Sequence, residues 1–292
     1  MKVGVDGFCY HRWFGQAYPG LETVPDTAMS VLDFVDRAAA LGADGLAVES
    51  FMVPDDRAVA ERFAGPVGER CRTHGLELMW AWGHPDGLGS GARPHALADL
   101  RRHADLAAAN GARVMRICAG GRATRPADWL EHRRAVLPLL AAAGDIARDH
   151  GLVLAVENHA DLLAGELVEL ITSLDDPAVR VCLDTGNNLR MLEDPAGAVE
   201  LLAPYAAAVH LKDVQAYRGD PRTFTFWPSV PVGRGLIDVP RALRALADAG
   251  FDGLLAIEID YLRPDIGLTE DAALAESIAF TRRALAGLAR SG

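Results

Sequence analysis

The chain has no paired C-x-x-C cysteines, no block of basic residues and no apolar run approaching the roughly 20 residues of a membrane helix. Each absence removes a class of protein. The opening stretch, MKVGVDGFCY, lacks the long apolar core and small-residue cleavage site of a secretory leader. A cytoplasmic protein that does not contact membrane is therefore expected. Cys9, Cys71, Cys118 and Cys182 lie far apart, which argues against a disulfide framework or zinc-thiolate site and for reduced, mostly buried thiols. A net charge of −11 with no Lys/Arg cluster argues against a nucleic-acid partner and favours a small or neutral one.

Half of the 292 residues are hydrophobic and 24% are charged, enough for a sizeable core. Short β-rich runs recur from end to end: KVGVDGF, DGLAVES, LELMWAW, RVMRICA, LVLAVEN, VRVCLDT, AAVHLKD and LLAIEID. Helix punctuation lies between them. Asp26 is placed to cap a helix ending at Gly42, Asp194 and Pro195 open a second, and Asp238 opens a third. Strand-then-helix units at a spacing of roughly 35 residues predict an α/β fold, a (β/α)₈ barrel occupying residues 1–292 as one domain. A doubly wound sheet is the alternative, but no Gly-rich dinucleotide turn follows the first strand.

Three connections exceed the usual length, over residues 8 to 25, 83 to 93 and 214 to 237, and all follow strands. They carry Tyr10, Trp13, Phe14, Tyr18, Phe224, Phe226 and Trp227, which either wall off a ligand or pack the loops down.

Strand parity is the more informative signal. Ala155, Cys182, Ala208 and Ala256 each stand two residues before Glu157, Asp184, His210 and Glu258, while bulky Val156, Leu183, Val209 and Ile257 immediately precede those polar residues. In a barrel, small residues then face the axis and the polar residues converge at the C-terminal ends of the strands predicted as fifth to eighth. Three carboxylates so close repel one another and take up protons unless a divalent cation holds them ionised. One imidazole with three carboxylates is a mostly hard donor set, suited to Mn²⁺ or Mg²⁺, with Co²⁺ or Zn²⁺ as alternatives.

The stretches AVENH, CLDTGNN, VHLKD, PVGRGLIDV and LAIEI, in that order, resemble the sugar phosphate isomerase/epimerase group of xylose-isomerase-like TIM barrels. The resemblance implies that Glu157, Asp184, His210 and Glu258 bind one divalent metal and that Glu157 and Glu258 are the paired catalytic acid and base. It implies a carbohydrate substrate held through vicinal oxygens. At DTGNN the chain departs from many ketose epimerases, with Asn187 after the glycine in place of His.

Other residues are candidates for contacting substrate. His84 and His159 are placed to hydrogen-bond hydroxyls or move protons, and Asn187 can donate a hydrogen bond. Arg116 shares the inward face of its strand with Val114 and Cys118 and needs an anion there, while Glu49 can pair with Arg116 or Lys212. Lys212 shares parity with His210, and Arg218 lies on the long seventh loop.

The expected activity is isomerisation or epimerisation of a ketose or related keto-sugar through an enediolate, with keto-sugar or keto-polyol dehydratase/lyase chemistry as the alternative. An abasic-site endonuclease shares the resembled barrel but gathers more metals and histidines. A non-catalytic sugar-binding role is the remaining rival. Oligomeric state is left open, a homo-oligomer included.

Overall fold

The computed structural model describes residues 1–54, 61–217 and 227–290. Its strands are β1 (Lys2–Asp6), β2 (Gly45–Glu49), β3 (Glu77–Trp82), β4 (Val114–Ile117), β5 (Val153–Glu157), β6 (Val179–Asp184), β7 (Ala206–Leu211) and β8 (Leu254–Ile257). All pair in parallel in chain order, and β1 closes on β8, giving the barrel expected from the repeating units. Asp184 stands opposite His210, and His210 opposite Ala256, so the ladder itself sets the polar residues side by side. β7 and β8 end before Lys212, Glu258 and Asp260, which therefore project from the rim.

Two layers of apolar packing follow from the alternation of side chains. Ala47, Met79, Ala155, Cys182, Ala208, Leu254 and Ala256 form a small cluster inside the barrel, separate from the extensive shell between strands and helices. Small residues under the strand ends leave axial space for the polar side chains above them, while Val156, Leu183, Val209 and Ile257 face the helical shell. A cavity of about 510 Å³ opens at the other end of the barrel, lined by Met79, Val114 and Leu254 among others, and none of the converging carboxylates borders it.

Helix punctuation was partly legible. Asp194 accepts from the backbone N–H of Gly197 and Asp238 from that of Arg241, so both cap as expected. Asp26 does not cap. The first helix, α1, covers Val31–Ala40, with Ser30 and Asp33 exchanging the reciprocal bonds of a capping box. Tyr10 also departs from a role at the mouth. It is fully buried, with its ring against Phe34 of α1 and its hydroxyl donating to Asp271, 2.6 Å away.

Filling the barrel interior under the strand ends should be costly, because the added side chain takes the space that the small residues leave for the polar groups above them. Ala256→Leu is expected to cost about 1–3 kcal/mol in equilibrium denaturant unfolding. A change under about 0.5 kcal/mol would show that the floor beneath Glu258 is not packed as described.

Candidate metal centre and its surroundings

Two neighbouring pairs of strand ends at the mouth, β5 with β6 and β6 with β7, are tied by a polar side chain that satisfies backbone groups. Asn158, just past β5, donates to Asp184 O and accepts from Asp184 N at 2.8 and 2.7 Å. Thr185, just past β6, donates to Lys212 O and accepts from Lys212 N at 2.6 and 2.9 Å. Asp213 turns away from the axis and accepts four backbone N–H groups, from Val214, Gly233, Gly235 and Ile237. That explains the second glycine of PVGRGLIDV: a Cβ on Gly235 would lie 2.1 Å from Asp213 Oδ1.

These ties aim Glu157, Asp184, His210 and Glu258 inward, all buried, with one ligand atom from each lying within 4.8 Å of the others. Asp184 spends Oδ1 on the N–H groups of Gly186 and Asn187, which leaves Oδ2 facing the cluster with the Lys212 ammonium 3.0 Å away. Glu258 Oε2 lies 3.0 Å from both Lys212 Nζ and His210 Nδ1, and His210 Nε2 faces Asp6 Oδ2 at 3.4 Å. These buried polar atoms converge on one point, where a single ammonium is shared among three carboxyl groups. The donor set therefore fits a single divalent cation, as the parity of the strands implied.

Charge leads to the same conclusion. Asp6, Glu49, Glu157, Asp184, Glu258 and Asp260 are buried carboxylates around the mouth, and Arg116, Arg190 and Lys212 are the fixed cations paired with them. Burial pushes Glu258 up to about 8 and Glu49 up to about 7. Burial opposes ionisation of Glu157 as well, but Arg116, His210, His159 and Lys212 outweigh it and hold Glu157 well below the usual carboxylate range. Two glutamates are thus biased toward different protonation states.

The remaining candidates fall into place around this group. Arg116 is fully buried and engages Glu49 at 2.5 Å and Glu157 at 3.2 Å, so the anion it needs is supplied by the barrel. Asn187 donates to Glu157 Oε1 at 2.9 Å. Its amide is oriented by Arg190, which donates to Asn187 Oδ1 and also pairs with Asp260. Lys212 Nζ lies 3.0 Å from Asp184 and from Glu258 and 3.1 Å from Asp260. His159 donates from Nδ1 to Gly120 O, and His84 sits between the rings of His159 and Phe8. Burial lowers the pKa of both imidazoles, favouring their neutral forms.

Tyr18 joins this wall through ring contacts with Phe8, His11 and Tyr261. Arg218, Phe224 and Phe226 lie outside the described residues. Sequence reasoning missed Asp6, Arg190 and Asp260. Asp6 and Asp260 were open to parity counting, from Gly4 and Glu258. Arg190 was not, because its reach depends on the short helix Asn187–Arg190.

A closed parallel barrel with acids and an imidazole gathered at the C-terminal strand ends is a TIM barrel with a candidate metal centre. The chain belongs to the xylose isomerase-like TIM barrel family, whose model matches residues 35–284. It is 31% identical over 230 residues to 2-epi-5-epi-valiolone 7-phosphate 2-epimerase of an Actinoplanes species, covering 77% of this chain and 80% of that protein. It is 26% identical over 150 residues to 3-oxo-isoapionate decarboxylase of Pectobacterium atrosepticum, covering 51% of this chain and 52%, about half, of that protein. A crystal structure of D-psicose 3-epimerase in the presence of D-fructose superimposes with a TM-score of 0.74 at 17% identity, covering 98% of this chain and 99% of that one. Among the described residues, no helix is long and apolar enough to cross a membrane.

The raised pKa values set the sign of a pH effect. In metal-free protein, protons held by Glu258 and Glu49 contribute stability that is full below their unfolded pKa values and lost as pH rises through about 7 to 8. A cation at the centre must displace the Glu258 proton, so Mn²⁺ is expected to raise the melting temperature more at about pH 8.5 than at about pH 6. An equal or smaller rise at the higher pH would contradict this protonation pattern.

Proposed function

We propose that this chain is a divalent-metal-dependent isomerase or epimerase of a ketose or related keto-sugar. The observation that carries the proposal is the placement of Glu157 and Glu258, the expected acid and base, within one buried cluster with Asp184 and His210. The epimerases among the similar proteins support it, since they act on sugars or sugar-like rings by their printed names.

Glu157, Asp184, His210 and Glu258 would hold the cation, with Mn²⁺ or Mg²⁺ favoured and Co²⁺ or Zn²⁺ as alternatives. When bound, such an ion supplies Lewis-acid stabilisation of negative charge developing on a substrate oxygen. The protein does the rest. Glu157, kept ionised by Arg116 and oriented by Asn187, removes the proton from carbon next to the carbonyl. Glu258, the other member of the expected acid/base pair, returns a proton to the other face or to the neighbouring carbon. The first outcome inverts a centre; the second isomerises. His84, His159 and Lys212 orient substrate hydroxyls, and the wall formed by Phe8 and Tyr18 excludes water.

The similarity to a decarboxylase favours a second reading, a keto-sugar or keto-polyol lyase that starts from the same proton abstraction or from the same electron-withdrawing carbonyl. Panels of ketoses and inososes in deuterated water separate the two. Deuterium gained at carbon with the carbon skeleton and oxygens retained supports isomerase or epimerase; net loss of water or carbon dioxide supports the lyase.

Glu157→Gln and Glu258→Gln are each expected to lower solvent deuterium exchange by about 10²–10⁴-fold without unfolding the barrel. Exchange at the wild-type rate in either variant removes that residue from the acid/base pair.

A further inference from the structure

β1 provides none of the four converging ligands, yet it ends in a buried carboxylate. Asp6 is fully buried and shares inward parity with Gly4. Its Oδ1 accepts the Phe8 N–H at 2.7 Å. Its Oδ2 has no hydrogen bond and faces His210 Nε2, likewise without one, at 3.4 Å. The other ring nitrogen, Nδ1, faces the ligand group, 3.0 Å from Glu258 Oε2 and 3.8 Å from Glu157 Oε1. His210 is thus held between the ligand group on one edge and Asp6 on the other.

An imidazole that offers its Nδ1 lone pair to a cation must carry its hydrogen on Nε2. In this buried position, that N–H needs an acceptor. Asp6 Oδ2 is the group in place to serve. We infer that Asp6 is a positioning residue for His210: it selects the Nε2–H tautomer, fixes the plane of the ring and makes Nδ1 a stronger donor. This rests on the metal-dependent reading above and adds to it a residue outside the ligand set.

The role is separable from the bond to Phe8. In Asp6→Asn, the amide oxygen can keep the Phe8 contact, but the amide nitrogen then faces Nε2 as a donor and favours the wrong tautomer. Mn²⁺ binding to holoprotein-derived, chelator-stripped wild type and Asp6→Asn, followed by calorimetric titration, measures the effect, with circular dichroism reporting the fold. We expect folded Asp6→Asn to bind Mn²⁺ about 10–100-fold more weakly. A second readout needs no variant: proton NMR of Co²⁺-loaded wild type should show a metal-shifted imidazole N–H that exchanges with solvent, and this signal should be lost or displaced in Asp6→Asn.

Wild-type affinity in Asp6→Asn, or a Co²⁺-loaded wild type with no such signal, overturns the inference and leaves the metal-dependent reading standing. A wild-type protein that takes up neither ion overturns both.

Discussion

The fold gathers more carboxyl groups at the mouth of its barrel than its own fixed cations would neutralise if all were ionised. Asp6, Glu49, Glu157, Asp184, Glu258 and Asp260 are brought together in a region where Arg116, Arg190 and Lys212 are the opposing fixed charges. In a low-dielectric interior this arrangement holds only if protons, hydrogen bonds or an added cation offset the repulsion. Much of the local architecture serves that end. The ties made by Asn158 and Thr185 prevent the strand ends from spreading apart, and the small residues beneath leave the acids no reason to splay outward.

The same ties differentiate acids of identical chemistry. Glu157 receives Arg116 and Asn187, which favour its ionised form. Glu258 has burial against it and shares Lys212 with Asp184 and Asp260. Asp184 gives one oxygen to the backbone and keeps the other for the centre. Asp213, only three residues beyond His210, is withdrawn from this chemistry altogether and organises the seventh loop through four N–H groups. Position along a strand therefore decides between a ligand and a structural staple.

The barrel was legible because its two requirements are written locally: the repeating strand and helix units, and small inward residues under polar strand ends. That parity located Glu157, Asp184, His210 and Glu258 before any contact was known. The pairings were less legible. Glu49 had two cations within reach by parity, and only the register of the strands places it against Arg116. Tyr10 looked like a mouth residue from its loop, but the helical stretch Gly7–Phe14 after β1 carries its ring against Phe34 of α1. Ser30 overrode Asp26 as the cap because Asp33 completes the reciprocal bonds.

Crystals of the protein soaked in Mn²⁺ and measured for anomalous scattering give the most direct test of this account. We expect one strong peak per chain, within bonding distance of Glu157, Asp184, His210 and Glu258. No peak among those side chains, or the ion held elsewhere in the barrel, would contradict the claim that this cluster of buried carboxyl groups and imidazole binds a cation.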